Sequence, residues 1–195
     1  MIEVVVVDDH PAVRVGLLSL LRSEPGILVQ DFAQSGAQAL ALAERGRPDL
    51  VLADYQLAGE DGLSLCRDLK RLPEPPHVLI YSAFAGPLMA VAAVVAGAEG
   101  VVSKSASSED LFAGIRSAAR GDAVPRELPN DVVAGAGGIL DEEDLPIFGL
   151  RVARTPVAQV AEALRCDRED VELRVGAILE RLRGALPGGS MPVVA

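Results

Sequence analysis

Short β-branched runs alternate with amphipathic stretches over the first two-thirds of the chain. Ile2–Val7 is apolar except for Glu3 and ends in two aspartates. Leu50–Ala53, Val78–Tyr81 and Gly100–Ser103 repeat the pattern, and Ile27–Phe32 repeats it more weakly. Continuous apolar runs of this length suit strands buried on both faces, as in parallel sheets. Between them, apolar residues recur at helical spacing. The first such stretch holds Val13, Leu17, Leu20 and Leu21, and the second holds Ala37, Leu40, Ala41 and Ala43 and stops at Gly46. The third holds Leu63, Leu65, Cys66, Leu69 and Leu72, opened by Asp61-Gly62 and closed by Pro73. A fourth runs from Leu88 to Ala96 and stops at Gly97; a fifth runs from Leu111 to Ala119, with Ser107 or Ser108 as N-cap, and ends at Gly121. The order βαβαβαβαβα predicts an α/β fold, a doubly wound five-stranded parallel sheet with helices on both faces.

The pattern changes after Gly121. Residues 122–138 hold Pro125, Pro129, Gly135, Gly137 and Gly138 without sustained periodicity, and are expected to be a linker. Three helices are predicted beyond it. Asp141–Val152 has Asp141 as N-cap, Pro156–Leu164 has Thr155 as N-cap and Pro156 at its first position, and Arg168–Leu182 has Asp167 as N-cap. The expected organisation is a domain over 1–121, the linker over 122–138, a small all-α domain over 139–186 and a disordered tail over 187–195.

Composition narrows the function classes. Half of the 195 residues are apolar, so a core can form, although aromatic residues are few and Trp is absent. The formal net charge of −10 opposes nucleic acid and anionic lipid unless a basic patch forms locally. Cys66 and Cys166 form no CxxC or Cys/His cluster, which leaves no zinc motif, and two reduced buried thiols are expected. No charged segment with a signal-like apolar run opens the chain, and the longest apolar stretch, Pro87–Ala98, is too short to span a bilayer. The expected location is cytoplasmic, with no membrane partner.

Strand ends carry the chemistry. In a parallel sheet, ligands bind at the carboxyl edge. Asp8 and Asp9 follow the first strand, Asp54 the third, Ser82 the fourth and Lys104 the fifth. Grouped carboxylates repel unless a cation lies among them, and hard oxygen ligands with room for water suit Mg²⁺. A metal-held carboxylate can attack a phosphoryl group to give an acyl phosphate. A lysine and a hydroxyl can then donate to the added oxygens. A phosphatase with a nucleophilic aspartate would need Asp-x-Asp after the first strand, and Asp8-Asp9-His10 is not that. The expected protein is a phosphoacceptor and not an enzyme.

Over residues 1–121 the sequence resembles the receiver domain of two-component response regulators of the NarL/LuxR (FixJ) type. Asp8-Asp9-His10-Pro11 with Arg14, Gly16 and Leu17 is similar to that subfamily's opening. Asp54-Tyr-Gln-Leu-Ala-Gly-Glu-Asp-Gly62 is similar to its phosphoacceptor loop, as are Ser82-Ala83 and Gly97–Lys104 to the later strand ends. The resemblance implies a flavodoxin-like fold and a sensor histidine kinase as partner. It implies that Asp54 is phosphorylated. It also implies that Asp9, Asp54 and the Gln56 backbone carbonyl bind Mg²⁺ directly and Asp8 through water, and that Ser82, Ala83 and Lys104 form the phosphoryl-binding switch. Two positions depart from the family. Ala58 stands where Pro is usual, and Val101 stands where a Tyr or Phe usually reorients, so an aromatic switch there cannot operate.

Residues 140–182 resemble the LuxR-type helix-turn-helix on their apolar positions, which implies transcription regulation with the Arg168–Leu182 helix in the major groove. Arg168, Arg174 and Arg181 are the DNA-contact candidates. The surface is discordant: Glu169-Asp170-Val171-Glu172 opens that helix, and residues 140–186 carry ten acidic against seven basic side chains. The alternative is therefore an output domain that no longer binds DNA and acts through protein–protein contacts. The 87–98 helix, apolar almost all round, is expected to form a homodimer contact or to dock the second domain.

Overall fold

A computed structural model describes residues 1–186. The elements, in chain order, are β1 (Ile2–Val7), α1 (Pro11–Arg22), β2 (Ile27–Ala33), α2 (Gly36–Gly46), β3 (Leu50–Asp54), β4 (Gln56–Leu57), β5 (Glu60–Asp61), α3 (Gly62–Leu69), β6 (His77–Ser82), α4 (Pro87–Ala96), β7 (Gly100–Ser103), α5 (Ser108–Ala118), α6 (Asn130–Gly137), a short 3₁₀ turn (Glu142–Asp144), α7 (Leu145–Val152), α8 (Val157–Leu164) and α9 (Arg168–Gly184). They divide into two compact units. The first is Met1–Ala85 with Ala98–Glu127; the second is Gly86–Gly97 with the described residues from Leu128 onward.

The first unit is built on a parallel sheet of order β2-β1-β3-β6-β7. β1 and β3 are neighbours, so the strand order reverses between them, and that reversal opens a crevice at their carboxyl ends. Successive side chains on a strand point to opposite faces. Val4, Val6, Leu50, Leu52, Leu79 and Val102 accordingly form one core with Leu17 and Leu21 of α1 and Leu111, Phe112 and Ile115 of α5. Each fully buried Val or Leu contributes roughly 1.5–3 kcal/mol. Helix starts follow local chemistry. The Asp61 carboxylate accepts from the Leu63 and Ser64 N–H groups at the head of α3, and the Ser107 hydroxyl accepts from Asp110 N–H at the head of α5.

The segment after α5 is more ordered than its Pro/Gly content predicts. Val124 N–H donates to Glu99 O and Val101 N–H donates to Val124 O, which adds a parallel bridge to the edge strand β7. Gly100 is required there: its φ is +151°, and a Cβ would lie 1.5 Å from the Val124 carbonyl oxygen.

In the second unit, residues 130–137 are helical where an irregular linker is expected. Pro129 sits at the N-cap, and Ala136 buries a small face. The helix expected over 141–152 splits into the 3₁₀ turn and α7, with Pro146 in the first turn of α7. The unit's core includes Ile147, Phe148, Val160, Val171, Val175, Ile178, Leu179 and Leu182. α4 belongs to this unit and packs against α6, α7 and α9. Met89–Ala96 are all buried, so the dimer contact expected of this helix has no exposed apolar face to form it. The expectation of two buried thiols is also corrected: Cys66 is buried, whereas Cys166, in the turn after α8, is exposed. The expected disordered tail, 187–195, lies outside the described residues. No helix among the described residues is long and apolar enough to cross a membrane.

Candidate functional site

The five strand-end residues meet at the reversal of strand order. β1 pairs in register with β3, Val7 opposite Ala53, so Asp8 and Asp54 emerge side by side. β6 pairs with β3 and β7, which places Tyr81 opposite Asp54 and Ser103 opposite Ser82. Asp8, Asp54 and Ser82 are almost fully buried. Lys104 Nζ donates to Asp54 Oδ2 at 2.7 Å and to Asp8 Oδ2 at 3.0 Å. Its ammonium also lies 5.7 Å from the Tyr81 ring centroid, within cation–π range.

Electrostatics at this site are asymmetric. Burial pushes the Asp54 carboxyl above its ordinary value, against the opposing pull of Lys104 and the Gln56 N–H. Burial alone would lower the Lys104 ammonium, but hydrogen bonds to Asp54 and Asp8 outweigh it and raise its pKa. One ammonium serves two carboxylates, so the cation gains more than either anion does.

The loops hold these groups in place. Asp54 Oδ1 accepts from Gln56 N–H at 3.2 Å. Gly62 N–H donates to Tyr55 O at 2.8 Å, and a Cβ at Gly62 would lie 2.3 Å from the Asp54 carbonyl oxygen. The carboxylate loop closes against α3 only because that residue is glycine. Asp8 Oδ1 accepts from His10 N–H at 2.8 Å, and Asp8 O accepts from the Arg14 guanidinium at 2.9 Å. Ser82 Oγ accepts from Phe84 N–H at 3.0 Å, and Lys104 N–H donates to Ser82 O. Ala83 is exposed beside Ser82, and Phe84 is partly open to solvent.

Asp8, Asp9, His10 and Asp54 each offer a ligand atom, all within 4.8 Å of one another. Asp9 Oδ1 is buried and has no hydrogen-bond partner, although His10 Nδ1 lies 2.7 Å away. A buried carboxylate oxygen without a donor is costly, and a cation would satisfy it. Three carboxylates with an orphaned oxygen fit a hard divalent ion such as Mg²⁺.

Arg14 and Tyr81 take part in this arrangement, although neither is assigned a role by the strand-end pattern. Arg14 stands one helical turn beyond Asp8–His10 in a stretch already singled out for its resemblance, which is the signal that could have found it. Tyr81 has no such signal, because an aromatic at a strand end is common.

The three arginines proposed for DNA contact are dispersed. Arg168 is exposed in the first turn of α9. Arg174 donates through Nε and a terminal nitrogen to Asp144 Oδ1 at 2.9 and 2.8 Å. Arg181 donates to Asp144 Oδ2 at 3.0 Å and also pairs with Asp141.

Comparison with known proteins gives a consistent picture. A model of the response regulator receiver domain family matches residues 4–116. The DNA-binding transcriptional activator DevR/DosR of Mycobacterium tuberculosis is 32% identical over 167 residues, covering 84% of this chain and 76% of that protein. The nitrate/nitrite response regulator protein NarP of Escherichia coli is 29% identical over 189 residues, covering 92% of this chain and 88% of its own. Among solved structures, the signal receiver domain of the putative response regulator NarL from Mycobacterium tuberculosis superposes with a TM-score of 0.58 at 32% identity, covering 62% of this chain and 97% of that one. RcsB from Salmonella enterica bound to promoter rprA shares the fold, with a TM-score of 0.58 at 18% identity over 93% of this chain and 92% of its own.

Proposed function

Because the chain belongs to the response regulator receiver domain family and is a response regulator of the NarL/LuxR type, we propose that it takes a phosphoryl group on Asp54 from a sensor histidine kinase and passes the signal to its C-terminal helices. The observation that carries this reading is the Lys104 ammonium lying between the buried carboxylates of Asp54 and Asp8. An Asp54 oxygen attacks phosphorus, forming the O–P bond of an acyl phosphate. The P–N bond to the kinase imidazole breaks, and its electron pair stays with the leaving nitrogen. Lys104 then serves the phosphoryl oxygens that replace its Asp54 partner. Ser82, whose oxygen already accepts from Phe84 N–H, keeps its own O–H to donate. Ala83 leaves the approach unobstructed.

Asp9, Asp54 and the Gln56 carbonyl would hold Mg²⁺, with Asp8 reaching it through water. The ion supplies charge neutralisation where a phosphoryl group meets three carboxylates. The cellular setting proposed is the cytoplasm, where such a kinase would present its phosphohistidine.

For output, the similarity to DevR/DosR, a DNA-binding transcriptional activator, supports DNA binding over a module acting through protein contacts alone. Arg168, exposed in the first turn of α9, is the first proposed contact; Arg174 and Arg181 are proposed to reach phosphate only by exchanging the Asp144 carboxylate for it. Each phosphate neutralised adds about 0.9 to the slope of log affinity against log salt. The test of the input chemistry is direct. Incubated with acetyl phosphate and Mg²⁺, the full chain should gain one phosphoryl group that hydroxylamine removes, as it does an acyl phosphate. No gain, or a hydroxylamine-stable one, would overturn the proposal.

A further inference from the structure

Lys104 follows β7, and its ammonium has partners of two kinds. The Asp54 and Asp8 carboxylates accept from it at 2.7 and 3.0 Å. The Tyr81 ring lies beneath it, with the centroid 5.7 Å from Nζ. Tyr81 immediately precedes Ser82 on β6, and the parallel ladders set it opposite Asp54 on β3 and Val102 on β7. Paired residues of neighbouring strands project to one face, so Tyr81 shares a face with Val102 and packs on the core built with α5. Val101 pairs with Ile80 and takes the opposite face. Tyr81 is therefore not a displaced version of an aromatic at position 101.

The two kinds of partner behave differently during phosphoryl transfer. Burial pushes the Tyr81 phenol above its ordinary value of 10.0, so the ring is neutral near pH 7 and attracts the ammonium through its quadrupole. The Lys104 side chain is 23% exposed, so water weakens this attraction only in part. When Asp54 becomes an acyl phosphate, the ammonium must turn from its carboxylate to a phosphoryl oxygen. The ring takes no part in the bond changes and stays where the sheet fixes it. A contact speeds a step only if it is stronger in the transition state than before it. At rest two carboxylates already hold the ammonium, and during the exchange one of them is given up. The ring therefore counts for more in transfer than at rest.

We propose that Tyr81 is a positioning residue for phosphoryl transfer: the face of its ring holds the Lys104 ammonium while Lys104 exchanges Asp54 for the phosphoryl group. Tyr81 acts through Lys104 and touches no reacting atom. What it contributes is the electron density of the ring face, not its hydroxyl and not its bulk. The role in transfer rests on the phosphoacceptor reading above; the hold on Lys104 in the resting protein does not.

Two measurements on the full chain test this. In the first, wild type is compared with Tyr81→Phe and with its counterparts carrying one, two and three ring fluorines. Intact mass times phosphoryl incorporation from acetyl phosphate and Mg²⁺. Fluorine draws electron density from the ring face at nearly constant ring shape. Tyr81→Phe should match wild type, and the rate should then fall stepwise with each fluorine, by about fivefold across the series, as for a partly desolvated cation–π contact. A rate independent of fluorine number would overturn the proposal, because packing on Val102 is kept throughout. In the second, NMR of the unphosphorylated protein reads the Lys104 ε-methylene protons. The ring current should shift them upfield in wild type and Tyr81→Phe, and Tyr81→Leu should return them to the ordinary lysine position. Equal shifts in all three would overturn the hold on Lys104. If wild type gains no phosphoryl group, the phosphoacceptor reading falls and the role in transfer falls with it, while the NMR comparison still decides the hold. If Tyr81→Leu does not fold, the fluorinated series supplies the second comparison as well, its upfield shift persisting while the rate falls; a rate that stays constant there would overturn the proposal.

Discussion

Replacing Asp144 by asparagine should loosen α9 without disturbing the receiver sheet. The Asp144 carboxylate is buried and receives three N–H groups, two from Arg174 and one from Arg181, all between 2.8 and 3.0 Å. Removing one partner of a buried ion pair costs about 3–5 kcal/mol. The two arginine side chains are 34% and 37% exposed, so water recovers part of their hydration, and asparagine retains one acceptor oxygen. A loss of about 2 kcal/mol follows, below the fully buried figure. In hydrogen exchange this is roughly a 30-fold acceleration at the slowest α9 amides, those beside Val175 and Leu179, with β1 and β3 unaffected. A double-mutant cycle with Arg174→Ala isolates the pair, and a coupling above about 1 kcal/mol is expected. Exchange within threefold of wild type, or additivity of the two substitutions, would refute the claim that this carboxylate orders the helix.

Two other perturbations probe the receiver. Gly62→Ala places a methyl group against the Asp54 carbonyl oxygen at 2.3 Å, a backbone atom that must move. It should cost about 1–3 kcal/mol, as overpacking does, and slow phosphoryl incorporation; a wild-type melting temperature with a wild-type rate would count against it. The raised Asp54 pKa gives a pH signature in metal-free protein. The folded state keeps this proton above the ordinary value of 3.8, so it binds more protons than the unfolded state between 3.8 and the raised value, and stability from this group falls as pH rises through that window. Asp54→Asn should therefore be more stable than wild type at neutral pH and lose that advantage as pH falls through the same window towards 3.8. Denaturant unfolding across pH would sink this if the variant were no more stable at pH 7.

The receiver was readable from sequence because parallel strands buried on both faces leave continuous apolar runs, and strand ends then fix where the polar residues meet. Asp8, Asp54, Ser82 and Lys104 could be placed together on that basis alone. The C-terminal half was harder for a physical reason. Counting acids against bases treats each charge as solvated, whereas Asp144 binds Arg174 and Arg181 internally across 30 and 37 residues. The ordered segment at Val124 was hidden likewise, because its bridge to β7 depends on a partner strand and not on its own periodicity. The apolar α4 announced that it needed cover, but only the fold shows that α6, α7 and α9 provide it.

The most direct test of the phosphoacceptor site is to map the added phosphoryl group. After treatment with acetyl phosphate and Mg²⁺, wild type should carry the label on the peptide containing Asp54, and Asp54→Ala should carry none. Label persisting in Asp54→Ala, or lying on another peptide of the wild-type chain, would contradict the assignment.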